Sequence, residues 1–100
     1  MVKHIIIWTL KDSLSAEEKN IIKQTAKKNL EALVGKIDGL TEMKIQTELL
    51  PTSNGEMMLN STFTSFEALH AYAIHPAHQE VANRDVRPYI ATRSCADFEI

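Results

Sequence analysis

The sequence is poor in cysteine and glycine and has no long apolar run, and each shortage excludes a class of protein. Its one cysteine, Cys95, cannot form a disulfide within the chain. With only three glycines it carries no glycine-rich phosphate loop and no flavin signature, so we expect no cofactor. No apolar run is long enough for a signal peptide or a membrane span. A cytoplasmic protein without a membrane partner is the expectation.

The chain also lacks an excess of either charge. Eleven basic and thirteen acidic residues give a formal net charge of -2, and the basic residues are scattered along the chain. Nucleic acid is therefore not an expected partner. One hundred residues of which 44% are hydrophobic suit one compact domain, residues 1–100.

The amino-terminal segment from Val2 to Lys11 predicts a strand that is apolar on both faces. His4 and Trp8 share one face, while Ile5 and Ile7 lie on the other. A strand of this kind must be covered on both sides. The strand therefore predicts two contact surfaces, one of which the helices of the chain can supply.

A capping box, Ser15 with Glu18, predicts a helix from about residue 16. The helix turns Ile22 inward and ends near Gly35. The remaining predicted elements are a strand from Gly39 to Leu49, a loop at Pro51–Gly55, a strand at Glu56–Thr64, a helix capped by Ser65 with Phe66 inward, a second short helix after Pro76, and a strand over Ile90–Glu99.

This element order, βαββαβ, predicts an α+β fold of the ferredoxin-like kind. Its four strands form one antiparallel sheet with both helices on one face. The opposite face then carries Ile5 and Ile7 without a cover. Exposed apolar surface of that size favours association, so we expect a homodimer that packs sheet against sheet.

Three of the four histidines and a tyrosine fall within residues 70–78. Imidazole titrates near neutral pH and phenol donates a hydrogen bond, so a histidine and a tyrosine in one cavity can move a proton and hold an oxyanion. His75 and His78 could instead bind a metal ion with His70 or His4. Pro76 between them disrupts the helical spacing that such a site needs, and we therefore predict no metal site.

The segment Val2–Ile7 with Lys3 and His4, the run from His75 to His78 after Tyr72, and the closing pair Asp97 and Phe98 together resemble the stress-responsive A/B barrel (Dabb) family. The resemblance covers the whole chain and implies a small dimeric α+β barrel. It also implies a cofactor-free ring closure for Tyr72 and His78, since a plant polyketide cyclase of the family uses a tyrosine and a histidine in the matching segment.

The chain departs from that cyclase in its third strand, where Met57 and Met58 stand near the position of a further pocket histidine. The aromatic residues of the cyclase's first helix are missing too. A polyketide substrate is therefore not implied by the resemblance alone.

For the chemistry, His78 is the candidate base and Tyr72 the candidate acid or oxyanion donor, with Asp97 accepting from the other imidazole nitrogen of His78. Cys95 is expected to be a small buried hydrophobe. The candidate ligand contacts are His4, Trp8, Ile22 and His75.

Two functions remain open, besides a purely structural dimer whose cleft is filled by its own side chains. One is a homodimeric domain that binds a small, largely apolar molecule in the cleft between sheet and helices, in a stress-related role. The other is a cofactor-independent cyclase or lyase that acts on a β-dicarbonyl compound; in either case the expected ligand is a small apolar, phenolic or dicarbonyl molecule. A glutamine at position 78 should change affinity modestly in the first and abolish turnover in the second.

Overall fold

The computed structural model describes all residues from Met1 to Ile100. The predicted βαββαβ order is confirmed. The elements are β1 (Val2–Leu10), α1 (Ala16–Glu31), β2 (Leu40–Gln46), β3 (Met57–Phe63), α2 (Phe66–Ala73), α3 (Pro76–Val81) and β4 (Ile90–Glu99), with a π-helical turn at Ala82–Val86 and a 3-10 turn at Arg87–Tyr89 before β4.

The four strands form one antiparallel sheet in the order β2-β3-β1-β4. β1 lies inside the sheet between β3 and β4, so residues of these three strands are neighbours. His4 is opposite Ser61 of β3 and Asp97 of β4. Directly opposed residues of antiparallel strands point to the same face, and these three therefore face the helices together.

The first helix begins as predicted. Ser15 accepts from the backbone N–H of Glu18, whose side chain accepts from the backbone N–H of Ser15. After α1 the chain turns into β2 through Gly39, which has a φ of +85°. A Cβ at this position would lie 2.5 Å from the Cβ of Ala68, so glycine lets this turn lie directly against α2.

The second helical region is broken in two by Pro76. His75 is the N-cap of α3, and its Nδ1 accepts from the backbone N–H of Ala77 at 3.1 Å. Proline fits the first helical turn because that position needs no N–H donor. The break changes the chain direction between α2 and α3, so residues on the two helices can face one another.

The hydrophobic core lies between the sheet and the helices. Its largest buried side chains include Trp8, Leu30, Phe63 and Tyr72. β4 is different, because all of its residues after Ile90 are exposed. The helices do not extend over this edge strand, and the space between sheet and helices is therefore open on the β4 side.

The other face of the sheet carries Ile5 and Ile7, both partly exposed, and Phe98, which is 47% exposed. No helix of the chain covers this face. None of the helices is both long enough and apolar enough to cross a membrane.

Candidate functional site

A cavity of about 610 Å³ lies between the sheet and the helices. Eighteen residues line it, of which twelve are hydrophobic. A mostly apolar wall with a few converging polar groups is typical of small-molecule sites. The other six residues are polar, and the hydroxyl of Tyr72 and the thiol of Cys95 add two further polar groups; the six are His4, His70, His78, Arg87, Arg93 and Asp97.

Five of the seven residues proposed from the sequence line this cavity. They are His4, Trp8, Tyr72, His78 and Asp97. Ile22 packs in the buried face of α1 and His75 caps α3, and neither belongs to the cavity wall. Among the residues proposed as ligand contacts, only His4 and Trp8 therefore lie where a bound molecule would meet them.

Tyr72 and His78 lie against each other across the helix break. Their ring centroids are 4.1 Å apart with an interplanar angle of 33°. Tyr72 comes from the last turn of α2 and is 2% exposed, while His78 comes from the first turn of α3. The two side chains that the sequence paired are thus neighbours in the cavity.

The hydrogen bond of His78 determines which ring nitrogen is free. Its Nδ1 lies 3.2 Å from the carbonyl oxygen of Ala73. A carbonyl can only accept, so Nδ1 carries the hydrogen and Nε2 keeps its lone pair. Burial lowers the pKa of His78, assisted by the positive charge of Arg87, although the bond to Ala73 opposes this shift. The imidazole is therefore neutral at pH 7 and can act as a base.

Tyr72 is suited to donate a hydrogen bond, whereas His78 is suited to accept a proton. Burial raises the pKa of its phenol, against the smaller effects of Arg87 and Arg93. The hydroxyl therefore stays protonated and can donate. The hydroxyl has no hydrogen-bond partner in the protein. It is nevertheless accessible from the cavity, since the one side-chain polar atom that is both fully buried and unpaired is Oδ1 of Asn60.

The sequence predicted that Asp97 accepts a hydrogen bond from His78, but in the structure Asp97 pairs with a different histidine. Its Oδ1 is hydrogen-bonded to Nδ1 of His4. The reason is the strand register, which places Asp97 directly opposite His4. The pairing of β1 with β4 joins residues 93 apart in sequence, and no local pattern indicates it.

The expectation that Cys95 is a buried hydrophobe was wrong. Cys95 is exposed and lines the cavity, because the helices leave β4 uncovered. Phe66, expected to point into the core, is 61% exposed at the cavity rim. The sequence reasoning also missed Arg87 and Arg93 on the wall. The two arginines lie after the histidine cluster in the sequence and belong to no recognisable motif. Their position on the cavity wall is therefore visible only in the folded structure.

The depressed pKa of His78 predicts that acid destabilises the fold. An unfolded histidine takes up a proton as the pH falls through about 6.5, whereas folded His78 resists protonation until a lower pH. The stability that His78 contributes is thus fully present above that value and is lost as the pH falls through its folded pKa. Urea unfolding between about pH 7.5 and 5.5 measures this loss.

In the variant His78→Gln, the part of the pH dependence of the free energy of unfolding that belongs to His78 should disappear. The variant His70→Gln alters a histidine at the exposed rim and should keep the slope. Parallel profiles for the wild type and His78→Gln would contradict the assignment.

The match to a family model extends over almost the whole chain. The model of the stress responsive A/B barrel domain, Dabb, matches residues 2–100. The fold is that of a ferredoxin-like α+β domain. The chain belongs to the Dabb family.

Solved structures confirm the fold. A dimeric protein of unknown function with a ferredoxin-like fold from Bacteroides fragilis is 28% identical, with a TM-score of 0.90 over 99% of this chain and 95% of that one. At3g17210 from Arabidopsis thaliana is 24% identical, with a TM-score of 0.80 over 100% and 95% of the two chains.

Hydroxynitrile lyase from Passiflora edulis is 22% identical, with a TM-score of 0.72 over 99% of this chain and 92% of that one. No curated protein sequence matches the chain.

Proposed function

We propose that this protein is a homodimeric Dabb domain that binds a small, largely apolar molecule in the cavity between the sheet and the helices, in a stress-related role. The cavity itself carries the proposal. Its volume, about 610 Å³, is within the range of small-molecule sites, and two thirds of the lining residues are hydrophobic. Its open side along β4 gives a ligand a way in.

The polar groups of the cavity favour a ligand with at least one carbonyl or phenolic oxygen. The free hydroxyl of Tyr72 can donate to a carbonyl, and Nε2 of His78 can accept from a phenol or an enol. The guanidinium groups of Arg87 and Arg93 make the wall favourable for an enolate. A β-dicarbonyl or phenolic compound combines these features.

The second candidate is a cofactor-independent cyclase or lyase, and the contact between Tyr72 and His78 favours it. A neutral imidazole beside a protonated phenol can remove a proton from a carbon between two carbonyls while the phenol stabilises the enolate oxygen. The hydroxynitrile lyase from Passiflora edulis has the same fold, so this fold is compatible with lyase chemistry.

The proposed dimer rests on the face of the sheet that no helix covers. Ile5 and Ile7 lie on it together with the half-exposed ring of Phe98. The protein from Bacteroides fragilis is described as dimeric. Packing one such face against another would remove the apolar side chains of both copies from water.

Benzoylacetone, an aryl β-dicarbonyl, is a direct probe of the binding site. Calorimetry should give a dissociation constant on the order of 0.1 mM, as expected for a ligand of this size. Ala73→Trp adds an indole to the cavity wall and should weaken binding at least tenfold. Ala71→Trp adds the same group to an exposed position of α2 outside the cavity and should leave binding unchanged. Equal affinities in the two variants would exclude the cavity as the site.

Deuterium exchange at the central carbon of benzoylacetone distinguishes the two candidate functions. An enzyme should accelerate the exchange in D₂O, and His78→Gln should lower the rate by about 10²–10⁴-fold with little change in affinity. His70→Gln should keep the wild-type rate. A wild-type protein that binds without accelerating exchange is a binding domain, and the enzyme candidate then fails.

A further inference from the structure

The cavity wall holds a second group of converging side chains, apart from Tyr72 and His78. His4, Cys95 and Asp97 each offer one metal-binding atom, and these three atoms lie within 4.8 Å of one another. We propose that this group binds a divalent transition-metal ion of the zinc type. The three residues line the same cavity as Tyr72 and His78, but the proposal does not depend on the proposed function, because neither the candidate base nor the candidate acid is among the metal ligands.

Two of the three distances fit a zinc site. Sγ of Cys95 lies 3.7 Å from Nδ1 of His4 and 3.5 Å from Oδ1 of Asp97. With Zn–S of about 2.3 Å and Zn–N or Zn–O of about 2.0–2.1 Å, the edges of a tetrahedron that contain the sulfur are about 3.5 Å long. Two of the three ligand pairs therefore already have the required separation.

The third pair, His4 and Asp97, is held together by a hydrogen bond between Nδ1 and Oδ1. A metal ion replaces that hydrogen, and the two atoms must then move apart to the length of a tetrahedral edge. Asp97 can make this movement, since its side chain is 39% exposed on an edge strand. His4 is buried in the central strand and stays in place.

The sheet holds the three ligands in position before an ion binds. His4 lies opposite Asp97, and Cys95 lies opposite Ile6, the residue two positions along β1 on the same face. Ligands on paired strands are positioned more firmly than ligands on loops. The site therefore needs one side-chain rotation and no change of the backbone.

The donor set and its charge select the ion. A thiolate and a carboxylate balance a charge of two, and His4 contributes a neutral nitrogen, so Arg93 nearby faces a site without net charge. Thiolate and imidazole favour zinc over magnesium or calcium. Three protein ligands leave a fourth position for water or a ligand atom, and this position faces the cavity that the three residues line.

Cobalt(II) is the probe, because a tetrahedral cobalt–thiolate site absorbs visibly. Added to the reduced, metal-free, full-length protein, Co²⁺ should produce a thiolate-to-cobalt charge-transfer band with a stoichiometry of one per chain, and Zn²⁺ should remove the band. Binding releases the thiol proton, and the hydrogen on Nδ1 of His4 moves to Nε2, so affinity should rise with pH. The dissociation constant should be below about 10 µM for three ligands of this type.

Variants of the two exposed ligands test the site without disturbing the core. Cys95→Ser should abolish the charge-transfer band, and Asp97→Asn should weaken cobalt binding at least tenfold. His70→Gln changes another histidine of the cavity and should keep both the band and the affinity.

A wild-type protein without the charge-transfer band would overturn the proposal, as would a Cys95→Ser variant that keeps its cobalt affinity. Neither result bears on benzoylacetone binding, so the two proposals fail separately.

Discussion

Replacing Phe63 with alanine should lower the free energy of unfolding by about 3–5 kcal/mol, a large part of what stabilises a small domain. Phe63 ends β3 and is completely buried. Its neighbours in the sheet are Val2 and Leu40, themselves core residues, so the cavity left by the ring cannot fill with solvent or collapse easily.

Phe63 also supports the residues of the candidate site. Its ring centroid lies 5.0 Å from that of Tyr72 and 6.3 Å from that of His4, in tilted and edge-on arrangements. Aromatic pairs of this kind stabilise by about 0.5–1.5 kcal/mol beyond the area they bury. The alanine variant should therefore lose ligand binding together with stability.

Urea unfolding followed by tryptophan fluorescence measures the effect, since Trp8 is in the same core. Phe66→Ala is the matched control, because it removes the same ring from a position that is 61% exposed. It should cost less than about 1 kcal/mol. Similar losses in the two variants would contradict the layered core described above.

The sequence predicted those features that depend on local patterns. Alternation in β1 placed His4 and Trp8 toward the helices and Ile5 and Ile7 on the other face, and the capping box located the start of α1. β2 shows the limit of this approach. Its alternating pattern continues to Leu49, but the strand ends at Gln46, whose partner Met58 is close to the start of β3.

The features that the sequence missed depend on contacts between distant segments. From the sequence, Asp97 could equally accept a hydrogen bond from His78. Only the register of β4 against β1 places it opposite His4. Cys95 has the apolar character of a core residue, and its exposure depends on how far the helices extend over the sheet. Strand register and helix coverage are tertiary properties, so no pattern within either segment encodes them.

Replacing Ile5 with glutamate should dissociate the proposed dimer, with an increase of the dissociation constant by at least about a hundredfold. Ile5 lies in the central strand on the face that no helix covers, between Asn60 of β3 and Ala96 of β4. In a twofold dimer each change occurs twice, so two carboxylates would enter one interface. Burying a carboxylate without a partner costs several kcal/mol.

Sedimentation measures this effect directly, since the wild-type protein should have twice the 11.3 kDa mass of the chain and the variant should have that mass. Ile21→Glu is the control, because Ile21 is 59% exposed on α1 and lies on the opposite side of the molecule from the sheet face. It should remain dimeric. A dimer in both variants would place the interface elsewhere, whereas a monomeric wild type would remove the dimer from the proposed function.

Because the cavity lies on the helix side of the sheet, a folded Ile5→Glu monomer should still bind benzoylacetone.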